Sequence, residues 1–100
     1  MKNDVILTEQ TIRLKARIRD IDGNLVQPQS IEFELKKPDE TEYTAYTIIS
    51  TPRIYNESLG VYYIDIDVDI PGRYEYSWFT YGSPHSSAKS FFEAQNARYL

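Results

Sequence analysis

The sequence predicts an all-β fold, an antiparallel β-sandwich of about seven strands. Three observations indicate this class. Apolar and polar residues alternate with a period of two, turn residues recur at short intervals, and helical periodicity is almost absent. Such alternation is typical of half-buried strands. The length fits a single domain, residues 1–100, with a short N-terminal arm at 1–4 and a C-terminal tail at 95–100.

The first predicted strand covers residues 11–21, where apolar and basic residues alternate. A strand sends successive side chains to opposite faces, so the apolar residues should face the core and the basic residues the solvent. The two sets are Ile12, Leu14, Ala16 and Ile18, and Arg13, Lys15, Arg17 and Arg19. Turn residues at 20–24 and Pro28 separate this strand from a second one at 30–36.

The remaining predicted strands are rich in β-branched and aromatic residues, which favour strands. They lie at residues 43–49, 61–69, 73–81 and 88–94, and residues 50–58 are predicted to form an irregular connection. Alternation assigns one face of each strand to the interior. The expected core comprises Ile18, Phe33, Tyr62, Ile64, Tyr74, Tyr76, Trp78 and Phe92.

Composition argues against several functional classes. The net charge of -4 is opposite to the basic excess that nucleic-acid binding needs. The chain contains no cysteine. Disulfides, thiolate zinc sites and cysteine nucleophiles are therefore excluded. No apolar run has the length of a signal peptide or a membrane span. We therefore expect a soluble protein made in a cytoplasm, with no nucleic-acid or membrane partner.

Two acidic motifs are candidate metal sites. Asp20, Asp22 and Asn24 have the spacing of calcium ligands, but an EF-hand loop also needs glycine at its sixth position and glutamate at its twelfth. Leu25 and Ile31 occupy those positions, so a hairpin turn is the favoured interpretation.

The second acidic motif is a row of carboxylates on one strand face: Asp65, Asp67 and Asp69. A row of this kind binds a cation only if other ligands converge on it, so a solvated outer face is favoured and no metal is expected. The basic row has two interpretations. It can pair with charges on a neighbouring strand, or it can form a narrow binding patch.

Catalytic chemistry has weak support in this chain. His85 is the only histidine and lies in a polar turn near Ser83, Ser86 and Ser87. A serine nucleophile would need a histidine oriented by a carboxylate, and no glycine elbow surrounds any of these serines. Phosphate-cradling glycine loops are also missing. We expect neither an enzyme nor a cofactor.

Some aromatic residues are left on the outer faces of the predicted strands. They indicate either a protein contact or rings lying flat on the sheet. The C-terminal tail adds apolar residues that have no core position to fill. The expected partner-binding residues are Tyr63, Phe79, Tyr81, Phe91, Arg98, Tyr99 and Leu100.

Residues 69–78, "DIPGRYEYSW", resemble the corner between strands E and F of immunoglobulin and fibronectin type III domains. In those domains a tyrosine hydroxyl ties the corner to the backbone, and Tyr74 is the matching residue. The resemblance implies an immunoglobulin-like or fibronectin-III-like sandwich. It also implies that the aspartate row is the outward register of strand E.

Over residues 10–94 the chain is similar to a family of short proteins encoded in structural gene clusters of tailed bacteriophages. The similarity rests on "DIDGNLVQP", "GVYY" and "PGRYEYSW" in this order, followed by a last strand with phenylalanine. The chain departs from the pattern at "PDETE", where the family often has glycine after aspartate, and at residues 50–58.

This resemblance implies a non-enzymatic virion protein that docks through protein contacts, as capsid decoration (cement) or as a head–tail neck component. Its partners would be other virion proteins of the capsid, the portal or neck, or the tail, and it could form a homo-oligomer. A glycan- or receptor-binding sandwich is the alternative, with Tyr81 beside residues 82–87 as its candidate cluster.

Overall fold

A computed structural model describes residues 6–97 and confirms the antiparallel β-sandwich. Two sheets pack face to face. The strands are β1 (Ile6–Leu7), β2 (Gln10–Arg17), β3 (Ser30–Lys36), β4 (Thr44–Tyr46), β5 (Tyr55–Ser58), β6 (Val61–Val68), β7 (Gly72–Tyr81) and β8 (Ser86–Gln95). In the described range, no helix is long and apolar enough to cross a bilayer.

The strand order is that of an immunoglobulin-like sandwich. One sheet has the order β1-β8-β7-β3-β4 and the other β2-β6-β5. The second sheet matches strands B, E and D of an immunoglobulin domain, and β4, β3, β7 and β8 match C′, C, F and G. Only β1 and β8 form a parallel pair among the described strands; the other pairs are antiparallel.

Residues 6–97 contain eight strands where about seven were expected. Part of the predicted irregular connection at 50–58 forms β5, which pairs with β6 through a register shift between Asn56 and Ser58. All four residues of β5 are exposed, so no apolar alternation marks this strand in the sequence. The predicted strand at 43–49 is reduced to β4, and the expected arm at 1–4 lies outside the described residues.

The C-terminal boundary requires a correction. The tail was expected to begin at residue 95, but Gln95 belongs to β8 and pairs with Leu7 of β1. The backbone N–H of Thr8 donates to the carbonyl of Gln95 at 2.9 Å. The N–H of Ala97 donates to the hydroxyl of Thr8 at 3.1 Å. Residues 95–97 therefore pack on their own domain.

The core lies between the inner faces of the two sheets. Of the expected core residues, Ile18, Phe33, Tyr62, Ile64, Tyr74 and Trp78 are buried, and Tyr76 and Phe92 are half-buried against them. The Phe33 and Trp78 ring centroids are 4.8 Å apart, and the Tyr74 ring stacks on Phe92. Ile54 is also buried, although it lies in the connection where no alternation predicted a core position.

Gly60 joins β5 to β6 at a close approach between loops. It has a φ of +71°, and a Cβ atom there would lie 2.8 Å from the carbonyl oxygen of Val26. Its own carbonyl accepts a hydrogen bond from the N–H of Ile18 at 2.8 Å, and its N–H donates to the side-chain oxygen of Gln27 at 2.9 Å. The glycine thus fastens the β2–β3 connection to the β5–β6 turn.

Candidate functional site

Two residues of the basic row, Arg13 and Lys15, pair with carboxylates of the same sheet, on β6 and β5. Arg13 makes a two-point contact with Asp65, with distances of 2.9 and 3.1 Å, and Lys15 lies 3.0 Å from Glu57. The hydrogen bond from Arg13 lowers the pKa of Asp65. Of the two interpretations of the basic row, the structure favours cross-strand pairing for these two residues.

The other two residues of the aspartate row on β6 and after it, Asp67 and Asp69, each have a separate partner. Asp67 accepts a 2.8 Å hydrogen bond from the hydroxyl of Thr11, and Asp69 lies 3.5 Å from the ammonium group of Lys37. Among residues 6–97, no three acidic or histidine side chains come together in a way that could hold a metal ion.

The "DIDGN" segment forms a hairpin turn around one side-chain oxygen. Oδ1 of Asp20 accepts hydrogen bonds from the N–H groups of Asp22 and Asn24, at 2.9 and 3.0 Å. The N–H of Asp20 donates back to the carbonyl of Asn24 at 2.9 Å. This oxygen is committed to the backbone, as in an Asx turn.

His85 contacts an aromatic ring rather than a carboxylate. Its ring meets that of Tyr81 edge-on, with centroids 5.7 Å apart. Nearby, the Ser86 hydroxyl lies 3.0 Å from the hydroxyl of Thr80. In the described part of the chain no hydrogen bond joins His85 to a serine or to a carboxylate. The arrangement needed to activate a serine is therefore not assembled there.

The four outward aromatic residues do not form one surface. Phe79, Tyr81 and Phe91 share the outer face of the five-stranded sheet, whereas Tyr63 lies on the outer face of the other sheet. The strand order separates them. The remaining expected contact residues, Arg98, Tyr99 and Leu100, lie outside the described residues.

Two of these aromatic rings are covered by guanidinium groups. Arg13 lies 3.8 Å above the ring of Tyr63, and Arg73 lies 3.9 Å above the ring of Phe91. Tyr63 also stacks on Tyr55, with centroids 5.1 Å apart. Rings that are partly covered in this way lie flat on the sheet and offer less free apolar area to a partner.

Exposed aliphatic residues in the connections between strands lie, together with Tyr81, at one end of the sandwich. We call this surface the loop end. It is formed by Ile21, Ile48, Ile49, Leu59 and Tyr81. Ile49 is 88% exposed. The residues belong to the β2–β3, β4–β5 and β5–β6 connections and to the last position of β7.

A cavity of about 580 Å³ opens at the loop end, and Ile48, Ile49 and Tyr81 are among the residues that line it. Side-chain hydrogen bonds connect the walls of this cavity. The side-chain amide of Gln27 donates to the Asn56 side chain at 2.8 Å, joining the β2–β3 connection to β5. The hydroxyl of Tyr81 donates to Glu32 at 2.9 Å, which raises the pKa of Tyr81. The cavity is therefore supported by both sheets.

Alternation did not identify the four aliphatic residues of the loop end. It placed Ile21, Ile48 and Ile49 within the predicted strands at 11–21 and 43–49, whereas the structure places all four residues in connections between strands. A signal was nevertheless present, because Ile21 and Leu59 are large apolar residues set among turn-forming neighbours, in "DIDG" and "SLG". An aliphatic residue in such a place has no core position, so it is a candidate contact residue.

We compared the chain with protein-family models, with curated proteins and with solved structures. None of them matches it.

Proposed function

We propose that this chain is a non-enzymatic structural protein of a tailed-bacteriophage virion, docked on the particle by protein contacts at its loop end. It would serve as capsid decoration or as a head–tail neck component. The observation that carries the proposal is the exposure of large aliphatic side chains at one end of a sandwich whose charged face is internally paired.

The energetic argument concerns apolar area. Covering exposed apolar surface contributes about 25 cal/mol per Å². Isolated exposed aliphatic residues are common, but several at one end of a small domain indicate a contact surface. Ile21, Ile49 and Leu59 are the most exposed large hydrophobic residues in the described range.

The position of the patch also fits docking. In an immunoglobulin-like variable domain, the B–C, C′–C″ and F–G loops at one end form the binding surface. The loop end includes the B–C and C′–D connections and the start of the F–G turn. On a repetitive virion lattice, many modest contacts of this kind add through multivalency.

Quantitative mass spectrometry of purified particles tests the assignment. We expect the chain to be a stoichiometric component. Hundreds of copies per particle would indicate decoration, and about a dozen would indicate the neck, where rotational symmetry sets the copy number. Absence from particles that package DNA normally would contradict the proposal.

Variants test the surface itself. Ile49→Asp and Leu59→Asp place a charge where apolar contact is proposed, so particle occupancy should fall by about tenfold or more. Phe91→Asp is the control, because Phe91 is half-exposed but lies away from the loop end. Thermal melting should show that all three variants fold.

The expected contribution of Arg98, Tyr99 and Leu100 needs its own variant. A chain ending at Ala97 keeps the bond from Ala97 to Thr8 and removes only these three residues. If this truncation abolishes particle binding while both loop-end variants attach normally, the tail is the docking element and the loop end is not.

A second candidate function is glycan binding at the loop-end cavity. It is favoured by one observation: the exposed ring of Tyr81 lies among side chains with amide and carboxylate groups, including Gln29 and Glu32. Titration of glycans against intrinsic fluorescence tests it. A saturable change that disappears in Tyr81→Ala would favour this function. No change with a broad glycan set would exclude it.

A further inference from the structure

The two sheets leave a groove open along the side of the sandwich formed by β2 and β8. In the described range β2 pairs only with β6, and the outer edge of β8 pairs with β1 only at Ala94 and Gln95. A cavity of about 450 Å³ lies between these two edges. We call it the β2–β8 groove. Its apolar lining includes Ala16, Ile18, Tyr76, Trp78 and Ala88.

Trp78 lines the groove and carries a buried donor that has no acceptor among the described residues. Trp78 is 6% exposed, and its indole Nε1–H makes no hydrogen bond with any described residue. Buried polar groups in proteins are nearly always hydrogen-bonded, so an unpaired donor requires an explanation. The Nε1 atom has almost no accessible surface, so a main-chain carbonyl of an added strand would reach it only after the groove opens further.

The edge of β8 is unusually open for a free strand. Natural sheets protect such edges with proline, bulges or several charges. Residues Ser86–Ser90 are all exposed, and Lys89 is the only charged residue among them. Their small side chains leave space for the side chains of an incoming strand. The backbone groups along this edge are available for pairing.

The basic charge of the groove determines which kind of strand can bind there. Its charged lining residues are Lys15, Arg17 and Arg19, all basic, on a chain of net charge -4. Lys15 is paired with Glu57 and Arg19 with the carbonyl of Gly23. Arg17 has no such partner in residues 6–97. A basic groove on an acidic domain favours an acidic ligand.

We propose that the β2–β8 groove receives an extended segment of a partner protein, in which apolar residues alternate with aspartate or glutamate, as an added strand on β8. Main-chain hydrogen bonds to the β8 edge would provide affinity, and the alternate side chains would provide specificity. The apolar side chains would cover Trp78 and Ala88, and the carboxylates would meet Arg17 and Lys89. This site is separate from the loop end and goes beyond the proposed function.

The single tryptophan gives a direct measurement. Trp78 is the only one in the chain, so its fluorescence reports on the groove. The probe is a synthetic peptide of alternating valine and glutamate, compared with one of alternating valine and lysine. We expect a saturable emission change with the acidic peptide, weakened by salt, and at least about tenfold weaker binding of the basic peptide.

Two further comparisons test the geometry. N-methylation of alternate residues blocks main-chain donors on one edge of the peptide, so two complementary N-methylated peptides should differ in affinity by about tenfold. Equal affinities would overturn strand addition. Arg17→Glu should weaken binding of the acidic peptide. Arg53→Glu is the matched control, since Arg53 is exposed and lies outside the groove.

The remaining outcomes are also decisive. If neither peptide changes the Trp78 emission, the groove is closed or already filled, and the proposal is overturned. Sedimentation that shows a dimer lost in Arg17→Glu would assign the groove to a second copy instead. Ile49→Asp should bind the acidic peptide normally, so failure at the loop end and failure at the groove are distinguishable.

Discussion

The hydroxyl of Tyr74 donates a hydrogen bond of 2.7 Å to the carbonyl of Ile70, four residues earlier, across the corner between β6 and β7. The same hydroxyl accepts a hydrogen bond from the N–H of Ile70 at 3.2 Å. The Tyr74 side chain is fully buried, and burial raises its pKa. One side chain therefore fixes both the corner and the packing beneath it.

Tyr74→Phe should destabilise the domain while leaving the fold intact. The substitution keeps the ring stack on Phe92 but leaves the two backbone groups of Ile70 without this partner. We expect a loss of about 1–2 kcal/mol in the free energy of unfolding, measured with urea. Tyr43→Phe, which removes only the bond to Glu75, is the control and should cost less. Equal losses would show that the corner has no special role.

Trp78 should tolerate phenylalanine far better than alanine. Trp78→Ala empties a buried position against Phe33 and should cost about 3–5 kcal/mol. Trp78→Phe keeps an aromatic ring and removes an indole N–H that has no described partner, so its cost should be much smaller. Thermal and urea unfolding measure both. Similar losses for the two variants would contradict this account of Trp78.

The Arg13–Asp65 pair predicts a small loss of stability in acid. The pKa of Asp65 is lowered in the folded state, so its contribution is present above the unfolded pKa of about 3.9 and is lost as pH falls through the folded value. The pair is solvent-exposed, so its contribution to the free energy of unfolding should be small. Unfolding measured from pH 6 down to about pH 2 should show a shallower acid dependence in Asp65→Asn than in the wild type. Asp39→Asn, in an exposed turn, is the matched control. If both variants follow the wild-type curve, the pair does not contribute.

Calcium should leave the melting temperature unchanged. The Asp20 oxygen in the "DIDGN" turn already accepts two backbone hydrogen bonds, and Asp65, Asp67 and Asp69 are each paired with another side chain. A ligand that binds only the folded state raises the melting temperature, so chelator and millimolar calcium should give the same curve. An increase of several degrees with calcium would reveal a site that these contacts do not predict.

The parts of the fold with strong alternation could be predicted from the sequence. β2, β3, β6 and β7 carry clear apolar faces, and the Tyr74 corner has a local motif. β5 could not be predicted in this way, because all of its residues are exposed and its pairing depends on β6. β1 has only two residues and is a strand because β8 lies beside it.

The candidate site was predictable only in part, for a related reason. Alternation placed Tyr63 and Phe79 on outer faces, but it could not show that the two faces belong to different sheets. The strand order determines which sheet each face belongs to. At the loop end, Ile21, Ile49 and Leu59 lie on three different connections, and which end of the sandwich each connection occupies depends on the complete topology rather than on any local pattern.

Gly60 limits which amino-acid substitutions the sequence can accept while still folding. A side chain at position 60 would press against the backbone of Val26 and Ile18 rather than against movable side chains. Gly23 also has positive φ, but its surroundings are open. In a random library selected only for folding, position 60 should return glycine alone, whereas position 23 should also return asparagine and aspartate, which tolerate left-handed backbone. The solvent-facing turn at Gly23 tolerates other residues, whereas the β5–β6 turn at Gly60, which packs against the β2–β3 connection, does not.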